Sequence, residues 1–328
     1  MEYKTLGRTG LKVSTLCLGT MNFGDVTAKD DAFAIMDAAR DAGINYFDTA
    51  DVYGGPQKPD MEKGYGTSEE IVGEWLAKGG RRDSLVLATK FYQPMQTDPN
   101  GRGLSAYHIR QAVEDSLRRL GTDRIDLYQM HHSDMSVPRD ELWQALDILV
   151  QQGKILYVGS SNHAGWQIAT THAAAQARGS LGLVSEQTYY NLMERTAELE
   201  VLPACKYHGM GFVAWSPLNR GLLGGVLDAP SQGRRARAGV AQKVEAVRPQ
   251  LEAYEAFCKE LGATPGAVAL AWLRANPVVT APITGPRTRD QLDDALASQE
   301  LTLSAEALAR LDEIWPGPGG EAPQAYAW

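Results

Sequence analysis

Short apolar runs alternate with segments of helical period from one end of the chain to the other. The runs are rich in Val, Ile, Leu and aromatic residues, and their length is typical of strands that are buried on both faces. We predict strands at residues 16–19, 45–48, 85–90, 125–131, 155–160, 183–187, 210–215 and 278–283. This alternation indicates repeated βα units, in which helices cover a parallel sheet.

Two apolar stripes of helical period lie between these strands. The stripes are Ile109, Val113, Leu117 and Leu120, and then Leu142, Leu146, Leu149 and Val150. Ser105 precedes the first stripe and belongs to the residue types that favour the N-cap of a helix. We therefore expect two helices whose apolar faces pack against the sheet.

The eight repeats predict a closed (β/α)8 TIM barrel, because no break in composition along the chain marks a division into two lobes. We expect a single domain over residues 1–328, with a doubly wound sheet as the minor alternative. Gly7 and Gly10 lie between short β-prone stretches within residues 3–14. This pattern predicts an N-terminal β-hairpin that closes the bottom of the barrel, rather than a frayed terminus.

Three stretches are too irregular for simple connections, so we expect long loops at the C-terminal face of the barrel. They are residues 52–66, 91–104 and 217–245. The third contains Arg234, Arg235 and Arg237, a basic segment that either folds over a phosphorylated ligand or is an ordinary solvated loop. Near the end of the chain, Tyr326 and Trp328 either line a pocket or project freely.

Composition and charge narrow the class of protein. Hydrophobic residues make up 44% and charged residues 22% of the chain, which is typical of globular proteins. A total of 32 Lys and Arg against 40 Asp and Glu gives a net charge of −8, which disfavours binding to nucleic acids or anionic membranes. There is no long apolar run, no signal-peptide core and no metal or disulfide spacing among the cysteines, so we expect a cytoplasmic protein. The sequence leaves the oligomeric state open.

Several ionisable residues fall where predicted strands end. Asp48, Lys90 and His131 each end a strand, and Tyr53 follows Asp48 on the next loop. Because the C-terminal ends of barrel strands converge at one mouth, these side chains should meet there. A lysine at the end of an apolar run is costly to bury unless a carboxylate lies beside it, and Asp48 can supply that charge.

Other kinds of site find less support in the sequence. The chain contains neither GxGxxG nor GxxxxGK[ST], so neither a Rossmann turn nor a Walker loop is indicated. His131, His132 and Asp134 could suggest a metal site, but adjacent residues of a strand point to opposite faces and no further ligand has suitable spacing. We therefore predict no metal.

Several segments, in a fixed order, resemble the aldo-keto reductase superfamily. The first are Ile44-Asn45-Tyr46-Phe47-Asp48-Thr49-Ala50-Asp51-Val52-Tyr53-Gly54 and Ser68-Glu69-Glu70-Ile71-Val72-Gly73. The others are Ala88-Thr89-Lys90, Asp126-Leu127-Tyr128-Gln129-Met130-His131, Gly153-Lys154 with Gly159-Ser160-Ser161-Asn162, and Trp215-Ser216-Pro217-Leu218. The resemblance runs from about Tyr3 to Leu311. It is nearest to the bacterial branch that also resembles potassium-channel β subunits.

The resemblance implies an oxidoreductase that reduces aldehydes or ketones to alcohols by hydride transfer from NADPH. Its catalytic residues would be Asp48, Tyr53, Lys90 and His131. Tyr53 would protonate the developing alkoxide, and the Lys90 ammonium would make the phenol a readier donor. Asp48 would hold Lys90 charged, and His131 would orient the carbonyl oxygen.

The same resemblance implies residues that bind the nicotinamide end of the cofactor. The set is Ser161, Asn162 and Gln187 for the carboxamide, Trp215 for the ring face, and Ser216, Leu218 and Arg220 for the pyrophosphate. Amide and hydroxyl groups can fix which face of the ring is presented. The alternative role of Trp215 is to fill the barrel.

A segment that opens a helix after the last strand resembles the family's adenosine-phosphate site. It begins at Gly285 and includes Arg287, the expected partner of the 2′-phosphate, with Gln291 beside it. Arginine at a helix start suits an anion, so NADP(H) is expected as the cofactor and NAD(H) is the less favoured alternative. The segment departs from the family at Gly285, where some members have Lys, and at Ala295, where Asn is usual.

Two other classes of function remain open at this stage. Lys90 could form a Schiff base in an aldolase-like lyase, which would require a lowered lysine pKa. A redox-sensing binding module, in which cofactor occupancy matters more than turnover, is the other class. For the reductase we expect a small carbonyl substrate of aromatic or aliphatic type in a pocket shaped by Phe23, Tyr92 and Trp166.

Overall fold

The chain folds into a closed barrel of eight parallel strands, seen in a computed structural model that describes residues 1–58, 60–228 and 239–327. An antiparallel hairpin, β1 (Tyr3–Thr5) and β2 (Lys12–Ser14), precedes the barrel. The barrel strands are β3 (Cys17–Gly19), β4 (Tyr46–Asp48), β5 (Val86–Phe91), β6 (Ile125–Met130), β7 (Ile155–Ser161), β8 (Leu183–Tyr189), β9 (Gly211–Trp215) and β10 (Val279–Thr284). Each strand pairs with its sequence neighbour, and β10 closes the ring on β3. The predicted (β/α)8 barrel is confirmed, and the doubly wound alternative is wrong.

Helices surround the barrel and fill the connections. They are α1 (Lys29–Asp41), α2 (Thr67–Leu76), α3 (Ala106–Leu120), α4 (Arg139–Gln151), α5 (Gly165–Ala177), α6 (Val201–His208), α7 (Val240–Ala246), α8 (Arg248–Glu260), α9 (Pro265–Ala275), α10 (Arg289–Ala297), α11 (Ala305–Ile314) and α12 (Gln324–Ala327). Ser105 caps α3 by accepting a hydrogen bond from the His108 backbone N–H, as predicted. In the second predicted stripe, Val150 is instead 42% exposed, because α4 turns it away from the sheet.

Two apolar cores lie on either side of the strands. The outer core packs the strands against the helices, and Leu117 and Leu146 of the predicted stripes belong to it. The inner core fills the barrel with strand side chains such as Tyr46 and Leu127. Leu6 of the hairpin joins this inner core, so the hairpin closes the barrel from below as predicted.

The hairpin turn fits closely against the start of β9. Gly7 adopts a left-handed φ of 55°, and a Cβ atom there would lie 2.6 Å from the Gly209 carbonyl oxygen and 2.6 Å from the Gly211 nitrogen. The Arg8 backbone N–H donates to the Gly209 carbonyl at 2.7 Å, and its guanidinium donates to the Leu183 carbonyl at 2.9 Å. The N-terminal end of the barrel is thereby sealed, and the opposite end is left for chemistry.

The first two predicted loops are irregular at the C-terminal end of the barrel over residues 52–58, 60–66 and 92–104, with short turns, whereas Phe91 is the last residue of β5. The third is described at residues 217–228 and 239–245, and α7 begins within it. Arg234, Arg235 and Arg237 lie outside the described residues, as does Trp328. None of the described helices is long and apolar enough to cross a membrane.

We predict that Gly7→Ala destabilises the fold far more than Gly121→Ala. Both glycines have positive φ, so each alanine incurs the cost of a left-handed residue, about 1–2 kcal/mol. A Cβ on Gly121 meets no atom within 4 Å, whereas a Cβ on Gly7 overlaps backbone, which adds roughly 1–3 kcal/mol. Urea unfolding measures the two free energies, and equal losses would contradict the close fit of the hairpin.

Candidate active site

Four polar side chains meet at the C-terminal end of the barrel. Asp48 ends β4, and Lys90 is the penultimate residue of β5. His131 directly follows β6, and Tyr53 lies in the loop after β4. Since parallel strands place their carboxyl ends on one edge, residues far apart in sequence are brought together here.

Lys90 lies at the centre of this group and is fully buried. Its Nζ donates a hydrogen bond to Asp48 Oδ1, and a second to the Thr49 carbonyl at 2.9 Å. The third contact is to the Tyr53 hydroxyl at 3.4 Å. All three ammonium hydrogens therefore have an oxygen within reach.

The other oxygen of Asp48 accepts from two buried amides. Gln129 Nε2 and Gln187 Nε2 each lie 2.9 Å from Asp48 Oδ2, and Gln187 Nε2 is also 3.3 Å from Gln129 Oε1. Gln129 was not among the predicted site residues, although a glutamine inside the apolar strand β6 is a signal that could have found it. Gln187, expected at the carboxamide of a cofactor, directs its amide nitrogen at Asp48 in this structure.

Charge and burial oppose each other at Lys90 and Tyr53. Burial acts to lower the pKa of Lys90, but Asp48 and Tyr53 raise it, and the net direction is upward. Burial raises the pKa of Tyr53, and Lys90 lowers it by less, so that pKa is also raised. Lys90 therefore acts on the phenol in the expected direction, because it lowers the pKa of Tyr53, but desolvation of the phenolate outweighs the ammonium charge.

His131 contributes a neutral imidazole. Burial lowers its pKa well below the usual value, and the charges of Lys90 and His132 lower it further. Its ring meets the Tyr53 ring edge-on, with centroids 5.7 Å apart. Nδ1 of His131 is buried and has no hydrogen-bond partner among the described residues.

The expectation that His131 and His132 point to opposite faces of a strand is wrong. β6 ends at Met130, so strand alternation no longer applies, and the rings of His131 and His132 stack with centroids 5.2 Å apart. Within residues 1–58, 60–228 and 239–327, no group of three or more His, Cys, Asp and Glu side chains is arranged to hold a metal ion.

The residues expected at the nicotinamide form one hydrogen-bonded corner beside His131. Asn162 has a left-handed φ of 59°, and its Nδ2 donates to the His131 carbonyl at 3.1 Å and to Ser161 Oγ at 3.0 Å. Its Oδ1 accepts from Trp215 Nε1 at 3.0 Å. Trp215 also stacks on Tyr189, with centroids 4.5 Å apart, so the plane of the indole is fixed.

Backbone strain is concentrated in the segment after β9. Ser216, Asn219 and Arg220 all have positive φ, at 55°, 43° and 58°. Ser216 Oγ accepts from the Arg220 backbone N–H at 3.1 Å, while Leu218 packs against the outer core. Non-glycine residues in this conformation are costly and cluster at functional sites.

The segment expected to hold the adenosine phosphate lies one strand further round the barrel, between β10 and α10. The Gly285 carbonyl accepts from Asn22 Nδ2 at 2.8 Å. Gln291 Oε1 accepts from the Arg287 backbone N–H at 2.9 Å, so Gln291 also closes the start of its own helix. Arg287 is partly buried.

The three residues expected to shape a substrate pocket differ in how far they are buried. Phe23 is fully buried in the outer core, so that expectation is wrong. Tyr92 is partly buried, and its ring meets His132 at 5.3 Å. Trp166, near the start of α5, is 53% exposed.

Comparison with known proteins agrees with this geometry. Residues 15–316 match the sequence model of the aldo/keto reductase family. The chain is 54% identical to the uncharacterized oxidoreductase YrpG of Bacillus subtilis over the whole of both chains. It is 34% identical to versiconal hemiacetal acetate reductase of Aspergillus parasiticus, covering 95% of this chain and 96% of that protein. Identity is also 34% to a probable voltage-gated potassium channel subunit beta of Arabidopsis thaliana, covering 96% of each chain.

The extent of the match and the closed barrel settle the class of the protein. Members of this family reduce carbonyl groups with a nicotinamide cofactor, so the chain is an oxidoreductase of that general type. The chain belongs to the aldo/keto reductase family.

Proposed function

We propose that this protein reduces aldehydes or ketones to alcohols with NADPH, and that Tyr53 is the general acid. The observation that supports the proposal is the buried Lys90 ammonium, held by Asp48 and Thr49 and within 3.4 Å of the Tyr53 hydroxyl. A cation beside a phenol stabilises the phenolate that remains after proton transfer.

The residues at the mouth fit a nicotinamide cofactor. Asn162 and Ser161 present amide and hydroxyl groups beside His131, and Trp215 offers an indole of fixed orientation next to them. The strained segment with Ser216, Leu218 and Arg220 would hold the pyrophosphate, and the segment that begins at Gly285 would hold the adenosine phosphate. When bound, NADPH supplies the hydride that reduces the carbonyl carbon.

Side chains of the protein itself supply the proton that the reduction requires. Tyr53 donates its hydroxyl proton to the developing alkoxide, and Lys90 stabilises the phenolate left behind. Asp48 keeps Lys90 charged and aimed, because its own position is fixed by two amide donors. His131, held neutral by burial, orients the carbonyl oxygen as a hydrogen-bond donor.

Preference for NADP(H) over NAD(H) rests on the start of α10. Arg287 lies one residue before Thr288, the N-cap of α10, and an anion at this helix start would be stabilised by both the helix dipole and the guanidinium. Gln291 holds the backbone of Arg287 in place. A phosphate on the adenosine ribose therefore suits this segment better than a free hydroxyl.

The lyase alternative is disfavoured by the charge state of Lys90. A Schiff-base lysine must be neutral to attack a carbonyl, whereas Asp48 and Tyr53 raise the pKa of Lys90. Small aromatic or aliphatic carbonyls are the proposed substrates, because Tyr92 and Trp166 offer apolar surface near the mouth.

Tyr53→Phe is expected to lower kcat for carbonyl reduction by roughly 10²- to 10⁴-fold, the usual contribution of a general acid, while NADPH affinity stays within a few-fold. Steady-state kinetics and fluorescence titration measure the two quantities. Tyr207→Phe, at a tyrosine that is 86% exposed, serves as the control and should behave as wild type. Unchanged turnover in Tyr53→Phe would exclude Tyr53 as the acid.

The pH dependence should differ between the two directions of the reaction. Reduction needs protonated Tyr53, whose pKa is raised, so kcat/KM should stay flat from about pH 6 to 9. Alcohol oxidation needs the phenolate, so its kcat/KM should rise roughly tenfold per pH unit in the same range. Because the pKa of His131 is well below its usual value, an acid limb near pH ~6.5 in reduction would contradict the neutral role of His131.

Arg287→Ala should weaken NADPH binding by roughly ten- to a hundredfold and leave NADH binding nearly unchanged, since a charged hydrogen bond to phosphate is lost. Isothermal titration with both cofactors measures this preference. Arg289→Ala is the neighbouring control, because Arg289 pairs with Asp293 on the helix surface. A larger loss in Arg289→Ala than in Arg287→Ala would reassign the phosphate contact.

A further inference from the structure

A buried carboxylate lies directly behind the proposed nicotinamide corner. Glu186 on β8 is fully buried, and it precedes Gln187, whose side chain reaches Asp48 inside the barrel. Because side chains alternate along a strand, Glu186 faces the opposite side, toward the helices. None of the catalytic steps proposed above uses this group.

Glu186 is held by neutral donors that come from two adjacent strands and the turn after β7. It accepts hydrogen bonds from Ser160 Oγ, from Thr188 Oγ1 at 2.6 Å and from the His163 backbone N–H at 3.0 Å. Ser160 is also its cross-strand partner in the β7–β8 ladder. Burial raises the pKa of Glu186 to about 7, which records the cost of keeping a carboxylate here.

The Glu186 carboxylate holds the turn that contains Asn162. The Asn162 backbone N–H donates to the Gln187 carbonyl at 3.0 Å, and the next amide, that of His163, donates to Glu186. The turn is therefore fixed on two successive amides, on either side of the left-handed residue Asn162. Without the second contact, a strained residue would be held by one backbone bond and its own side chain.

A shift of this turn would move the nicotinamide corner as a unit. Asn162 is bonded to Ser161, to the His131 carbonyl and to Trp215. His163 adds a further link, because its Nδ1 lies 2.9 Å from the Ser161 carbonyl oxygen. The side chains that face the cofactor thus depend on a carboxylate that does not face it.

We propose that Glu186 is a positioning residue for the nicotinamide end of the cofactor. By accepting from the His163 amide and the Ser160 hydroxyl, it fixes the Asn162 turn and so aims the Asn162 and Ser161 side chains at the carboxamide. This inference rests on the proposed function, in which those two residues bind NADPH.

The test compares NADPH with adenosine 2′,5′-bisphosphate, a fragment that lacks the nicotinamide, in the full-length protein. Glu186→Leu removes both acceptor oxygens, so Kd for NADPH should rise roughly tenfold or more while Kd for the fragment stays unchanged. Glu186→Asp is the second variant if the leucine protein does not fold. Its carboxylate is one methylene shorter and withdraws from His163, so it should show the same selective loss to a smaller degree.

Glu186→Gln is the conservative variant and should restore NADPH binding to within about threefold of wild type. Its amide oxygen can accept from His163, and its NH₂ can donate to Ser160 Oγ, which has lone pairs to accept it. Asp126→Asn is the matched control, because Asp126 is also buried but binds Arg82 and the Leu87 amide where β5 and β6 begin. It should lower Tm without changing the ratio of the two affinities.

Each outcome separates the positioning role from a structural one. If Glu186→Leu and Glu186→Asp weaken the binding of NADPH and of the fragment equally, or weaken neither, the positioning role is wrong while the proposed function stands. If wild-type protein neither binds NADPH nor reduces a carbonyl, the proposed function fails, and the role of Glu186 fails with it.

Discussion

The ion pair between Lys90 and Asp48 is the interaction on which the arrangement of the site depends. Removing two charges from water costs several kcal/mol per ion, and the cost is offset only where geometry and hydrogen bonding are nearly complete. Here the ammonium reaches Asp48, Thr49 and Tyr53, and the free oxygen of Asp48 accepts from two amides. The pair therefore ties together β4, β5, β6 and β8 at the end of the barrel where the catalytic groups meet.

The barrel separates this costly polar cluster from the parts that stabilise the fold. At the N-terminal end, Leu6 and Val13 of the hairpin complete an apolar inner core, and Gly7 brings the turn against β9. At the C-terminal end, the interior of the barrel is polar, and the side chains of Lys90 and Gln129 are fully buried there. Substitutions at one end can thus change stability while substitutions at the other change chemistry.

Local rules of protein structure are broken mainly around the mouth. Asn162, Ser216 and Arg220 take left-handed conformations that non-glycine residues avoid, and Glu186 keeps a carboxylate away from water without a cation at its hydrogen bonds. Such departures are expected where function and stability conflict. They are concentrated on β8 and in the segments that follow β7 and β9, around the proposed nicotinamide corner, where the groups that face the cofactor must keep a fixed orientation.

Sequence pattern by itself determined the strands, the hairpin, the Ser105 cap and the meeting of Asp48, Lys90 and His131. These follow from periodicity and chain order, because parallel strands place their ends on one edge whatever their detailed packing. The sequence also located the proposed cofactor-binding segments, because a family resemblance depends on the order of residues along the chain and not on coordinates.

Only the tertiary structure decided which atoms meet. Gln187 lies 139 residues from Asp48 in the chain, and their contact depends on the register of the four strand pairings from β4 to β8, which no local sequence pattern predicts. The same holds for the supporting role of Gln129, the stacking of His131 on His132 and the burial of Phe23. The tertiary structure also decided the direction in which the pKa of Tyr53 is shifted, because desolvation depends on all the groups that surround the phenol and not on its neighbours in sequence.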